Sequence, residues 1–406
     1  MTTTTTYRTL FQDYLCAGLQ LVLAQVQAAE PLVPDELRRQ AWHLLSYAFE
    51  SAAAWPLARD LLLALAPKME QAGFRDEWIA YLEQAVQSAL LRGDERVAAE
   101  CQLEIGYLYR LATNFASARE WLRASLENFE RQEHRQGMAR ALNHLAYVAW
   151  REHHYDEAED FADRALQLLD LDDVERAMSL SAKGLIAIDR REWRLAEENH
   201  RAALQIRQEY GDKRKAAWSL QNLGYAMRGQ GKHAAAIACF VEALKSLERV
   251  GDPINQAIIE LNLGISYYLN KEYGHALDCY ARAEAHYGKS QDQLNIAKLH
   301  VNRGLCHLAL NELEKAEIAF NNSITLFQQL GDLGERLNAM DGLGLTYLAM
   351  ELRKQAAAVF ESALKELPLI QGTPIHDTLL EELSLHLNQA QPVREDLTLA
   401  VQNLGT

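Results

Sequence analysis

Proline and glycine are scarce, at 8 and 21 in 406 residues. A chain of short strands needs a turn signal roughly every ten residues, so these numbers exclude an all-β architecture and favour helix. Cysteine is scarcer still. Cys16, Cys101, Cys239, Cys279 and Cys306 are scattered, odd in number and form no Cys-x-x-Cys pair. That usage excludes a disulfide framework and fits small buried thiols in a reducing cytoplasm. Positive charge is in deficit: 41 Lys and Arg stand against 56 Asp and Glu, a formal net charge of -15. Nucleic-acid binders neutralise phosphates with clustered cations, and anionic bilayers attract them, so neither partner is expected. No uninterrupted apolar span is present. Leu10–Ala29 comes nearest, but Asp13, Gln20, Gln25 and Gln27 interrupt it, as in an amphipathic helix. The opening Met and five threonines lack the basic and apolar regions of a signal peptide. A soluble, cytoplasmic, helical chain is the expectation.

What is present is a repeat. Small residues recur at Gly106, Ala146, Gly184, Gly224, Gly264, Gly304 and Gly344, at intervals of 40, 38, 40, 40, 40 and 40. Twelve residues after each stands an alanine: Ala118, Ala158, Ala196, Ala236, Ala276, Ala316 and Ala356. Nineteen residues after each comes a third small residue: Ser125, Ala165, Ala203, Ala243, Ala283, Ser323 and Ala363. Repeating units of this length are pairs of helices that bury their apolar faces only by stacking. The first two small sites let paired helices approach where they cross. The third is expected to let the second helix nestle against the next repeat. Four residues after the middle alanine a large side chain fills the remaining gap at Leu122, Phe240, Tyr280, Phe320 and Phe360. His200 and Ala162 depart from this, so their repeats should pack differently.

Punctuation agrees with this division. Gly93-Asp94, Gly211-Asp212, Gly251-Asp252 and Gly331-Asp332 occupy matching places. Glycine supplies the left-handed residue that ends one helix, and aspartate can cap the next. The pattern resembles the tetratricopeptide repeat (TPR) family. It stands as Leu263-Gly264-Ile265-Ser266-Tyr267, Ala276, Tyr280 and Ala283, and as Leu343-Gly344-Leu345-Thr346-Tyr347, Ala356, Phe360 and Ala363. The 40-residue unit is similar to repeats in kinesin light chains and in the sensor arms of bacterial STAND-type signalling regulators. The resemblance implies an all-α fold, a right-handed α-solenoid of antiparallel helix pairs.

Three regions follow. Residues 1–94 read as degenerate TPR-like pairs, with helices near 7–28, 36–53, 57–72 and 76–91; Ser46, Phe49 and Ala58 echo the repeat spacing. Residues 95–367 hold seven repeats, and 368–406 read as capping helices. Thr373-Pro374 is a helix start, Leu379, Leu383 and Leu387 form one stripe, and 393–402 could add a short final helix.

No catalytic constellation stands out. Gly288-Lys289-Ser290 looks like the end of a phosphate-binding loop, but Ala283 replaces the required earlier glycine and no strand precedes it. The likeness to STAND regulators therefore extends to the sensor arm alone. His153-His154 lies at a turn without a third ligand, and His300 and His307 are two helical turns apart. His-Glu-x-x-His, Gly-x-Ser-x-Gly and dinucleotide fingerprints are missing. Cys239 and Cys279, at equivalent places in adjacent repeats, read as core thiols. Lys213-Arg214-Lys215 and Arg190-Arg191 read as solvated turns. No enzyme activity, cofactor or metal is expected.

In the TPR family, first helices line a concave groove that holds peptides. The resemblance assigns to the groove the places six, three and two before each small residue, and one and four after it. These places share one face of a helix. They hold Tyr107, Arg110, Arg140, Asn143, His144, Tyr147, Trp150, Trp218, Gln221, Asn222, Tyr225, Arg228, Asn262, Tyr268, Lys298 and Asn302. Asn222, Asn262 and Asn302 recur two places before the small residue in consecutive repeats. An asparagine amide can donate to and accept from an extended backbone; alternatively, the three could satisfy one another as a ladder. Co-chaperone TPR domains resemble this in gripping a peptide terminus with asparagine, but their accompanying basic set is not reproduced. The expected function is a scaffold or adaptor that binds a protein or peptide. A peptide- or effector-sensing regulator of a partner enzyme or transcription regulator is the alternative.

Overall fold

A computed structural model describes residues 2–29, 33–72 and 75–391, and the regular secondary structure among them is entirely helical. The chain divides into two compact units, residues 1–210 and 211–406. In the first unit, α1 (Thr2–Ala28), α2 (Asp35–Ala48), α3 (Trp55–Ala72) and α4 (Arg75–Leu91) precede three repeats. Those repeats pair α5 (Glu95–Leu111) with α6 (Phe115–Arg131), α7 (Arg135–Arg151) with α8 (Tyr155–Leu168), and α9 (Arg176–Asp189) with α10 (Trp193–Glu209). In the second unit, α11 (Lys213–Gly229) pairs with α12 (His233–Val250), α13 (Pro253–Leu269) with α14 (Tyr273–Ser290), α15 (Gln293–Ala309) with α16 (Leu313–Leu330), and α17 (Leu333–Ala349) with α18 (Arg353–Glu366). A 3-10 turn, Leu367–Ile370, leads to α19 (His376–Ala390).

Helix ends follow their caps. Gly93, Gly211, Gly251 and Gly331 all have φ near +70°, between 71° and 74°. The following aspartates then cap: Asp94 accepts from the Val97 amide, Asp212 from Lys215, Asp252 from Asn255 and Asp332 from Glu335. Such a cap contributes about 1 kcal/mol by satisfying an amide the helix leaves open.

The middle and third small residues of all seven repeats are completely buried. At the crossings themselves, a ring meets a backbone. A Cβ on Gly224, Gly264, Gly304 or Gly344 would come within 2.8, 2.3, 2.8 and 2.3 Å of Phe240, Tyr280, Phe320 and Phe360 respectively. The missing side chain of the first helix is thus the socket for a knob from the second. Burying such a ring stabilises by roughly 1.5–3 kcal/mol. Phe320 fills two sockets, since a Cβ on Gly342 of the next repeat would also meet it, at 2.3 Å. The two departures complement themselves. Ala162 pairs with Ala146, each fully buried, and His200 takes the place of the ring over Gly184.

Two of the third small sites add a hydrogen bond to their packing. Ser125 donates to the Ala99 carbonyl at 2.8 Å, and Ser323 to Ala297 at 3.0 Å. Both acceptors lie on the first helix of the same repeat, so in these two repeats the site also tightens its own pair. Two boundaries differ from expectation. The helix expected over 36–53 stops at Ala48, because Ser51 begins a new turn by accepting from the Ala54 and Trp55 amides. The last described helix starts at His376, not Thr373, after the 3-10 turn. Leu379 and Leu383 of its stripe are buried and Leu387 half-buried against α17 and α18. The helix expected over 393–402 lies outside the described residues.

Within each unit, first helices of consecutive repeats approach one another directly: α5 with α7, α7 with α9, α13 with α15 and α15 with α17. Consecutive second helices have no comparable contact among the described residues. Locally, the first helices therefore occupy the inner side of the stack. None of the described helices is long and apolar enough to cross a membrane.

Candidate functional site

All sixteen groove candidates lie on first helices. Tyr107 and Arg110 are on α5, and Arg140, Asn143, His144, Tyr147 and Trp150 on α7. Trp218, Gln221, Asn222, Tyr225 and Arg228 are on α11, Asn262 and Tyr268 on α13, and Lys298 and Asn302 on α15. Asn143 and Asn262 are buried, and the other fourteen are half-buried.

In the first unit these side chains are largely committed to one another. The Arg110 guanidinium lies 4.9 Å from the Tyr107 ring and 4.2 Å from the Tyr147 ring. Tyr107 packs on His144 and Tyr147 on Trp150, with centroids 5.0 and 5.1 Å apart. The Trp150 indole donates to Asp189 at 2.7 Å, and Arg140 pairs with Glu100 at 2.8 Å. Asn143 is 0% exposed; it donates to the Glu175 carbonyl at 3.2 Å and accepts from Ser179 at 2.6 Å. A buried amide with both ends engaged joins repeats and has nothing left for a ligand. Asn143 is therefore removed from the candidate groove.

The second unit is different. Asn262 is 5% exposed and donates to Ile258, one turn back on its own helix, at 2.7 Å. Its side-chain oxygen accepts from Arg228 at 3.3 Å, and that guanidinium lies 4.9 Å from the Tyr225 ring. Asn262 thus serves the α11–α13 junction. Asn222 and Asn302 are half-buried, and neither amide makes a side-chain hydrogen bond within the described residues. The three asparagines do not form a ladder, since Asn262 spends its amide on other groups. Beside them, Ile265 and Tyr268 of α13 and Leu305 and Leu308 of α15 occupy the places one and four after the small residue. They are only half-buried. Ile265, Leu305 and Leu308 were not among the sequence candidates, although the same register identifies them.

Burial also shifts ionisable groups here. It pushes the Tyr225 hydroxyl up and the Arg228 guanidinium down from their ordinary values, because each charged form loses solvent. Burial raises the thiols of Cys279 and Cys306 to about 12, away from nucleophilic reactivity. Cys239, by contrast, is half-exposed rather than a core thiol, with its sulfur 3.9 Å from that of Met227. His153 sits at a left-handed turn with its Nδ1 2.8 Å from the Tyr155 hydroxyl, and His154 lies beside Glu152 and Glu157. Gly288-Lys289-Ser290 forms the C-terminal end of α14, the opposite helix end from the one that cradles phosphate.

The tetratricopeptide repeat family matches residues 175–249 and 295–365. Among solved structures, the chain is similar to a STAND protein with a tetratricopeptide repeat sensor from Pyrococcus horikoshii, at 15% identity and a TM-score of 0.55. That match covers 92% of this chain and 55% of the other, so the chain spans little more than half of that relative. It is similar to a Rap protein complexed with competence and sporulation factor, at 14% identity and TM-score 0.55, over 91% of this chain and 99% of that one. Aspartyl phosphate phosphatase F from Bacillus subtilis matches at 12% identity and TM-score 0.53, over 89% and 95%. Identities this low establish likeness of fold. No curated protein matches in sequence. The small-residue register, the paired helices and the matched segments, residues 175–249 and 295–365, together show tetratricopeptide-type helical repeats in this chain.

Proposed function

We propose that the chain is a non-enzymatic binding protein that holds a protein or extended peptide against the first helices of its second unit. The observation that carries this reading is the pair Asn222 and Asn302. Both are half-buried on the inner helices, with amides that no described side chain or backbone group engages. A polar group in a half-dry setting gains from an external partner, and an asparagine can donate to and accept from a peptide backbone at once. The half-buried Ile265, Tyr268, Leu305 and Leu308 add apolar surface that a ligand could cover. The first unit, whose corresponding side chains are paired internally, serves in this reading as framework. Five free thiols suit a reducing compartment such as the cytoplasm.

An adaptor role is the primary reading. A sensor role, in which a peptide on this face alters a bound regulator, draws support from the fold likeness to a Rap protein that was solved with competence and sporulation factor. A random 12-residue peptide library displayed on phage and selected on the full chain tests the shared claim. Hydrogen exchange with a recovered peptide should protect α11, α13 and α15. Protection confined to second helices or to α1–α4 would overturn the assignment.

A further inference from the structure

Arg228 is a half-buried cation with no counter-anion among the described residues. Its guanidinium lies 4.9 Å from the Tyr225 ring and reaches the Asn262 carbonyl at 3.4 Å and side-chain oxygen at 3.3 Å, both long bonds. Four other arginines of the unit have carboxylates: Arg214 with Asp252, Arg282 with Glu260, Arg303 with Glu284 and Arg336 with Glu366. Lys298, also half-buried on the inner face, makes no ion pair among the described residues either. Arg228 and Lys298 thus put positive charge on the inner face of the second unit, where Asp341 of α17, in the same register, is bonded to His386. An arginine whose charge is partly desolvated without a carboxylate is held at a cost. A bidentate acid from outside would repay it, because charge-assisted forks are the strong hydrogen bonds.

We propose that Arg228 receives an Asp or Glu side chain of the bound protein segment, and that apolar side chains next to that acid cover Ile265, Tyr268, Leu305 and Leu308. This rests on the first-helix face of the second unit being the binding face. Neighbouring helix axes lie about 9 Å apart and an extended chain advances about 3.3 Å per residue, so one helix corresponds to roughly three residues. The segment recognised is thus acidic at one place and apolar about three and six residues away in one direction. Charge complementarity selects this occupant over a basic peptide, which Arg228 and Lys298 would repel.

The test uses the phage-displayed 12-residue library selected on the full chain, with peptide C-termini fused so that only side-chain carboxylates are available. Recovered sequences should share Asp or Glu with Leu, Ile or Phe at that spacing. A synthetic peptide from the set should bind at least tenfold more weakly when its acid becomes the amide, and this penalty should shrink to under twofold on Arg228→Met. Arg228→Met also removes the bonds to Asn262, so the readout is the acid-to-amide penalty measured on the folded variant rather than its melting temperature. Should the Met variant fail to fold, Arg228→Gln carries the same comparison. Binders that require Asn222 and Asn302 but carry no acid, or an acid indifferent to Arg228, overturn this inference and leave the binding face standing. Binders unaffected by changes at Asn222, Asn302 and Arg228, or no binders at all, overturn both.

Discussion

The ring of Tyr280 stands where the side chain of residue 264 would be: a Cβ on Gly264 would lie 2.3 Å from the Tyr280 Cε1. No real Cβ contact is that short, and Tyr280 is itself buried on every side at 1% exposure. Gly264→Leu should therefore destabilise the second unit by roughly 1–3 kcal/mol or more through overpacking, despite leucine's better helix propensity. The repeat containing Ala146 and Ala162 shows the alternative solution. Combining Gly264→Ala with Tyr280→Ala should thus be less damaging than the sum of the single changes, as read by urea denaturation. Strict additivity would mean the ring and the glycine are not one packing unit.

His200 occupies the knob position of its repeat with no exposed surface, and burial pushes its imidazole down to about 3. The unfolded chain takes up a proton at this group near its ordinary value of 6.5, and the folded chain does not. The unfolded state therefore binds more protons between the two values, and stability falls as pH drops from 6.5 toward 3. At pH 5 this group alone should subtract on the order of 2 kcal/mol relative to pH 7.5. His200→Phe, which restores the ring found at Phe240, should remove that share of acid sensitivity. Equal pH dependence of wild type and variant in thermal melts would contradict the argument.

Asparagines at similar register should separate into two classes. Asn143→Ala and Asn262→Ala break buried bonds that join neighbouring repeats, and each should cost roughly 1–3 kcal/mol of stability through unsatisfied partners. Asn222→Ala and Asn302→Ala should change stability by under about 0.5 kcal/mol. A calorimetric series of the four variants reads this directly, and a uniform loss across all four would erase the distinction.

The repeat was legible because close packing of helix pairs leaves so few choices at residues such as Gly304, Ala316 and Ser323. The Gly-Asp junctions were legible for a related reason: positive φ and an open amide demand particular residue types. Which inner-face side chains are still open to a ligand was not legible. Asn143 is engaged by Ser179, 36 residues on, and Asn262 by Arg228, 34 residues before. Such pairing depends on the neighbouring repeat's rotamers, which no spacing rule carries. The isolation of Arg228 was hidden likewise, since every nearby carboxylate in sequence had to be shown to face elsewhere. The early end of α2 at Ala48 turned on Ser51, a single side chain in an alanine-rich stretch.

The most direct test of the binding face is the affinity of one library-selected peptide for the Asn222→Ala, Asn302→Ala double variant, measured by titration calorimetry beside its melting curve. Each lost amide contact should cost about 0.5–1.5 kcal/mol. The account predicts binding weakened roughly five- to 150-fold in a variant that melts like the wild type. Unchanged affinity in that folded variant would contradict it.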